Sequence, residues 1–514
     1  MNRNMVLAIL LSSAIYIVWF GFVSPPQKTE VKSQTESKET AAHKPAETSD
    51  SARLDINSGS KNQKKGSAIT IKSEKAAFLI EPFSAEINDI IYSGPVSEIN
   101  LSLSQNSAFL RTLENLDWKK ETNDSLSAVF SASLSKEIKV KKIFSFSKEQ
   151  GINKLVLEFK NTSSKKFSIP SFPIELGPGL GTAKSEMKEN PDNCKADYTY
   201  MEEGKKHPSV SHIKESYEKG DWIWAGLNNR YFLFAVFNEG DLKEIKTEKK
   251  EIEDKKYPLM SIYSKSFDIA PGETKNIIIP FYAGAKDYKL LKSLGKGLDR
   301  AVDFGFFSPI SKLADSALHF FHSKTGNYGI AIILLSITIQ IIIFPLSMKS
   351  YKAMAVMKKL QPEMQALQVK YKDDPKRMNT ELMELYKKYG ANPLSGCWPM
   401  LLQIPVFFAL YTALRNSWNL HGASFAFWIK DLSAKDPYYA LPILMGALMF
   451  LQQHISPQTG GDPAQAKIMK WMPLLFTFMF LSLPSGLVIY WIINSFFSLG
   501  QTLYLKNSEE NGKN

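Results

Sequence analysis

Six amides and one serine stand where an apolar chain tolerates them least. Ser336, Gln340, Gln403, Gln452, Gln453, Asn494 and Gln501 interrupt long hydrophobic runs between residues 328 and 505. In hydrocarbon such groups are costly, and the cost marks them as candidate sites of function. Ser336 lies one helical turn before Gln340 and shares its face. Counted inward from Leu346 and from Cys397, Gln340 and Gln403 each lie about six residues deep, roughly 9 Å at helical rise. Each amide alone can simply hold two helices together, an interaction of roughly 0.6 kcal/mol. Several amides at one depth on different helices instead describe a wet groove, because polar lining at membrane depth is tolerated where it faces water. Carrying a charged residue through hydrocarbon costs ~2.5–3.5 kcal/mol, and hydrating part of the path removes much of that barrier. No Walker pattern, metal-ligand cluster or dinucleotide fingerprint is visible, so such work is passive and no cofactor is expected.

Other candidates for chemistry are few. His207 and His212 sit in a Lys- and Ser-rich stretch with no carboxylate pair at a recognisable spacing, and read as residues of a solvated loop. Cys194 falls in a polar region and Cys397 in an apolar run, which predicts no disulfide. The formal charge of +12 comes without zinc-ligand spacing, RNA-binding aromatics or a single basic stripe, which argues against nucleic acid as a partner.

The elements that position the amides are membrane spans. The mean hydropathy of −0.18 averages a polar region, 24–303, with the apolar runs that begin at Tyr328. Spans are predicted at 5–23, 328–346, 397–414, 438–455, 471–483 and 486–505, the fifth being short. The first follows Arg3, lacks a small-x-small cleavage pattern and stops at Pro25-Pro26, so 1–23 reads as a signal anchor. Residues 24–66, rich in Ser, Thr, Lys, Glu and Ala, read as a flexible linker. Ten basic residues between Lys349 and Lys388 place that segment in the cytoplasm. Counting spans both ways puts Arg3, Lys467, Lys470, Lys506 and both termini inside, and 67–303 outside. The predicted fold is a multi-pass α-helical membrane protein with six transmembrane helices, five of them in a C-terminal core at 327–505, followed by a short tail at 506–514.

Outside the membrane the pattern changes from helix to strand. Residues 138–146 alternate, 155–159 follow a Gly-Ile-Asn turn, and 231–237 form a run of the kind buried on both faces, which predicts an all-β sandwich at 67–303. Within 304–326, Ile310, Leu313, Ala314, Ala317, Leu318 and Phe321 make the stripe of an amphipathic interfacial helix. On the cytoplasmic side, 348–390 reads as an antiparallel helical hairpin, with Met357, Leu360, Met364 and Leu367 on one arm and Met378, Leu382 and Leu385 on the other. Pro375 opens the second arm and Gly390 closes it. The Met and Leu stripe either glues the arms or, with Lys387 and Lys388, offers an adaptable surface to nascent chains. A transporter would need repeated halves or a continuous polar path, and neither is visible. A tethered external enzyme would concentrate chemistry before Asp303, where no catalytic constellation stands.

Several motifs carry a resemblance: Gly326-Asn327-Tyr328-Gly329-Ile330, Phe344-Pro345-Leu346, Asn392-Pro393-Leu394-Ser395-Gly396-Cys397, Gln403-Ile404-Pro405, Asp431-Leu432-Ser433, Asp436-Pro437-Tyr438-Tyr439 and Pro484-Ser485-Gly486-Leu487. With them the chain resembles the YidC/Oxa family of membrane protein insertases, in its bacterial form with a large periplasmic domain. The resemblance implies a protein of the bacterial inner membrane, not an enzyme. Such a protein inserts and helps fold other membrane proteins, alone or beside the Sec translocon, through a groove open to cytoplasm and lipid and without nucleotide hydrolysis. The implied partners are nascent membrane proteins, the Sec translocon, ribosome or targeting factors at the cytoplasmic loops, and membrane lipids. By position Ser336 and Trp491 match the family's substrate-contacting residues, with Tyr490 beside Trp491, so the expected groove set is Ser336, Gln340, Gln403, Gln452, Tyr490, Trp491 and Asn494. One position departs from the family. Its groove carries an arginine just ahead of the Phe-Pro-Leu signature, and here Gln340 replaces that permanent charge with a neutral amide. The tail offsets Lys506 and Lys513 with Glu509 and Glu510, leaving the hairpin and the Lys467–Lys470 loop as ribosome contacts.

Overall fold

The computed structural model describes residues 52–53, 67–204, 207–217, 220–390, 398–455 and 463–511. The predicted anchor at 1–23, nearly all of the linker, the Asn392 to Cys397 motif and Lys513 lie outside the described residues.

The alternation read from the sequence builds two nine-stranded sheets that share one apolar core. Phe109 of one sheet stacks on Phe234 of the other with ring centroids 4.7 Å apart, and Phe78 meets Phe281 edge-on at 6.5 Å. The strand Phe232–Phe237 is buried at every position. One face joins the shared core, while Leu233, Ala235 and Phe237 are covered by Leu291 and Leu298 from the short helices that follow the last strand. That second cover explains why this run does not alternate.

Ile138–Ser145 alternates as expected, yet one inward position is a lysine. Lys142 falls in phase with Ile138, Val140 and Phe144 and is fully buried. Its Nζ donates to the carbonyls of Ser84 (3.1 Å), Ala85 (3.0 Å) and Thr112 (2.7 Å), and lies 4.4 Å from the Trp118 ring. The turns supplying those carbonyls contain left-handed residues, Ala85 (φ 48°) and Leu113 (φ 50°). The ammonium thus satisfies three acceptors that no neighbouring strand reaches.

Among the described residues, seven longer helices follow these short ones: α1 Ser308–Thr325, α2 Tyr328–Lys370, α3 Pro375–Lys388, α4 Trp398–Asn416, α5 Ala440–Ile455, α6 Pro463–Phe480 and α7 Ser485–Asn511. Gly326 ends α1 in the left-handed region (φ 67°), and the side chain of Asn327 caps α2 by accepting from the Ile330 amide. The expected second span and first hairpin arm are one unbroken helix of 43 residues, with Pro345 and Pro362 inside it. By length and composition, Tyr328–Ala353 and Ser485–Leu505 suffice to cross a membrane, and Ala440–Ile455 and Trp471–Phe480 are shorter apolar helices. α2 packs on α7, which also meets α5, while α1 lies against α2 and α4. The stripe predicted for α1 divides. Ala314 and Leu318 are buried on the bundle, whereas Leu313 and Ile310 are exposed. Ser311 is buried instead, bonding the Phe304 carbonyl (3.0 Å) and Thr412 of α4 (3.1 Å).

The sandwich and the bundle meet through the turn after α4. Trp418 enters the sandwich core beside Tyr92, Tyr231 and Phe232, with ring centroids 4.9–5.8 Å away. Asn419 donates to Asp287 (2.9 Å), and Arg415 pairs with Glu189 (3.1 Å).

Burial pushes Lys142 down to about 7 and Lys286 to about 8, while an unfolded chain keeps the ordinary lysine value of about 10.4. Between those limits the unfolded chain binds more protons, so sandwich stability rises as pH goes from about 7 toward 10. Lys142→Met leaves three carbonyls without their donor and is expected to cost about 3 kcal/mol at neutral pH, and to flatten that rise. Denaturant melts of the full chain at pH 7 and pH 9 measure both; an unchanged stability and slope would contradict the assignment.

Candidate functional site

Tyr490 and Asn494 lie one turn apart on α7, so their side chains share a face. Asn494 Oδ1 accepts from Gln340 Nε2 of α2, and the Tyr490 hydroxyl accepts from Gln403 Nε2 of α4. Ser336, one turn before Gln340, is fully buried and donates to the Ile332 carbonyl at 2.6 Å. Gln340 is 4% exposed, while Gln403 and Asn494 are half-buried. Each of these groups has a partner inside the protein, as hydrocarbon surroundings require. Because the pairs are neutral, the site can offer hydrogen bonds but holds no fixed charge.

The start of α7 fixes this arrangement. Ser485 Oγ donates to the Ala434 carbonyl (2.8 Å), and the Gly486 amide to that of Leu432 (3.0 Å). A Cβ at Gly486 would stand 3.0 Å from Ile332 Cδ1, so the glycine lets α7 approach α2 closely. Asp436 secures the same loop, accepting from Trp428 Nε1 (3.0 Å) and from the amides of Tyr438 (3.0 Å) and Leu441 (2.7 Å). The Asp431-Leu432-Ser433, Asp436-Pro437 and Pro484-Ser485-Gly486 motifs therefore set the depth and facing of Tyr490 and Asn494.

Of the expected set, Ser336, Gln340, Gln403, Tyr490 and Asn494 share this α2–α4–α7 junction, and two residues stand apart. Trp491 packs among Phe407 (5.4 Å), Phe476 (5.9 Å) and Phe480 (5.1 Å), where α4, α6 and α7 meet. Gln452 reaches the Tyr351 hydroxyl at 3.5 Å. Sequence reasoning missed Tyr351 because it adjoins the basic hairpin. It nevertheless lies three turns after Gln340 on the same face, a period the sequence displays.

In the hairpin, Met357, Leu360 and Met364 are buried against Leu385, with Leu367, Leu382 and Tyr386 around them. The stripe glues the arms. Val369, Met383, Lys387 and Lys388 are among its exposed side chains. His212 corrects the loop expectation: it lies on the edge strand Ser209–His212 and bonds Asp197 across the sheet, a pairing that no local spacing announces. Asp197 also accepts from Asn228, whose Oδ1 takes a bond from Lys286 (3.3 Å), so these groups form one structural network. Arg415, held by Tyr411 and Glu189 at the sandwich end of α4, is committed away from Gln340. Among the described residues, no three His, Cys, Asp or Glu side chains cluster to hold a metal.

Two family models cover most of the chain: the YidC periplasmic domain matches residues 88–313, and the 60Kd inner membrane protein matches residues 320–512. The chain is 34% identical to the membrane protein insertase YidC of Endomicrobium trichonymphae, over 99% of each sequence. It is 33% identical to that of Syntrophus aciditrophicus, over 98% of this chain and 99% of the relative. Among solved structures it is similar to an active YidC insertase with its first transmembrane domain resolved, at a TM-score of 0.40 and 16% identity, covering 86% of this chain and 93% of that one. With family models matching most of its length and full-length relatives above 30% identity, the chain belongs to the YidC family of membrane protein insertases.

Proposed function

We propose that this insertase passes polar client segments partway across the membrane through the α2–α4–α7 junction, by exchanging hydrogen bonds with Gln340, Asn494, Gln403 and Tyr490. The observation that carries this reading is the pairing of two amides from different helices onto successive turns of α7. Such pairs are individually weak, so a client's backbone and polar side chains replace them at little cost. Water entering from the cytoplasmic side then shortens the hydrocarbon path. Neither nucleotide nor catalysis is needed, because client binding and apolar burial in lipid drive the transfer.

The chain is read as six spans, with the anchor at 1–23 and five in the core at 327–505. Both termini lie in the cytoplasm of a bacterial inner membrane, and the sandwich at 67–303 lies in the periplasm. Charge supports this orientation, since the segment from Lys349 to Lys388 is strongly basic. The exposed Val369, Met383, Lys387 and Lys388 give the hairpin a surface for ribosomes, targeting factors or nascent chains, in place of the buried methionines. On the same reading the protein works alone or beside the Sec translocon.

Gln340 makes tail charge matter less here than in arginine-bearing relatives. Matched clients with acidic and neutral external tails should insert about equally with the wild type, whereas Gln340→Arg should favour the acidic tail on the order of tenfold. An unchanged tail preference would contradict the reading. The pairing itself is open to a double-mutant cycle in Gln340→Leu and Asn494→Leu. A coupling of about 0.6–1.7 kcal/mol is expected from thermal or chemical unfolding in detergent, and additive losses would mean the amides do not act together.

A further inference from the structure

Past the paired amides, α2 and α7 diverge around a cleft of about 750 Å³, lined by Phe344, Met348 and Lys352 on one side and by Phe497, Gln501 and Tyr504 on the other. This volume is typical of small-molecule sites. The cleft begins one turn beyond Gln340, and its walls are largely apolar. Two polar groups stand out, and both are donors. Lys352 is exposed, and no ion pair holds it among the described residues. Gln501 is 6% exposed, and its Nε2 is buried without an acceptor. A buried donor left unmade is costly, so it calls for a partner. A cation and an unpartnered amide donor together call for an anion.

The surroundings identify the kind of anion. Phe496 and Tyr504 beside the cleft present exposed aromatic surface, while a lysine and a tyrosine near the end of a spanning helix suit the headgroup level. A phospholipid offers the complement: a phosphodiester for the donors and acyl chains for the apolar wall. The predicted anchor does not offer it, since residues 1–23 contain neither Asp nor Glu.

We propose that this cleft is a phospholipid site, with Lys352 binding the phosphate, Gln501 turning its covered Nε2 toward it, and the acyl chains lying along Phe344, Met348 and Phe497. The inference rests on the reading that α2 and α7 both cross the membrane with these ends in the cytoplasmic leaflet. An acidic client tail carries the same charge, but it has no use for the apolar wall. A lipid bound here braces the α2–α7 contact just beyond the Gln340–Asn494 pair.

Native mass spectrometry of the full chain in detergent, with added dioleoyl phosphatidylglycerol or dioleoylglycerol, tests the site. The wild type should retain phosphatidylglycerol and not the phosphate-free lipid. Lys352→Ala and Gln501→Leu should each weaken retention about tenfold. Gly500→Phe is a third variant. A Cβ at Gly500 meets nothing within 4 Å, so the ring fills the cleft without a backbone clash, and retention should be lost while the protein folds. Equal retention by all three variants, or dioleoylglycerol held as well as phosphatidylglycerol, would overturn the proposal. A wild type that retains neither lipid would also overturn the proposal, and would leave the spanning reading in place. In vesicles of phosphatidylglycerol and phosphatidylethanolamine, a benzophenone side chain at position 344 should crosslink to lipid. Adducts only to residues 1–23 or to a client would assign the cleft to those occupants and refute a lipid site.

Discussion

The bonds that Tyr490 and Asn494 accept from Gln403 and Gln340 fix how α2, α4 and α7 meet. In a bilayer a buried amide without a partner is penalised, so each helix is held at the rotation and depth that presents its polar residue to the others. The close approach at Gly486 and the loop bonds of Ser485 and Asp436 serve that same registration. The contacts are many in kind but individually modest. A junction built this way is ordered at rest, and on the proposed route it exchanges its bonds with a polar client.

Charge would have produced a different device. An arginine at position 340 would need a counter-ion or water at all times, and would draw acidic segments over some distance. Gln340 acts only at hydrogen-bond range and finds its resting partner in Asn494. Outside the bundle, the sandwich is not a loose appendage. Trp418 is embedded in its core, and Asn419 and Arg415 tie the end of α4 to Asp287 and Glu189. Movement of α4 relative to α7 during client passage would therefore be felt at the sandwich through these three residues.

The features legible in the sequence were those with a local period. Alternation announced the strands, three-and-four spacing announced the hairpin, and isolated amides in apolar runs announced the junction. What escaped depended on partners far along the chain. Nothing near Lys142 in the sequence announces a partner for a buried ammonium, and only the carbonyls of Ser84, Ala85 and Thr112 explain its inward side chain. Trp418 gives no local sign of the sandwich core that surrounds it. His212 gives no local sign of Asp197, and Trp491, adjacent to Tyr490, turns toward a different set of helices. The methionines of the first hairpin arm carry the right spacing for either of two roles, and packing against Leu385 decides between them.

The most direct test of the account is site-specific photo-crosslinking to a stalled nascent membrane protein, with the crosslinker placed in turn at Gln403, Asn494 and Phe450. The first two positions belong to the paired amides, and the third is exposed on the outer side of α5. Client polar segments are predicted to crosslink from positions 403 and 494 while they pass, and not from position 450. Crosslinks from position 450 with silence at both 403 and 494 would contradict passage through the α2–α4–α7 junction.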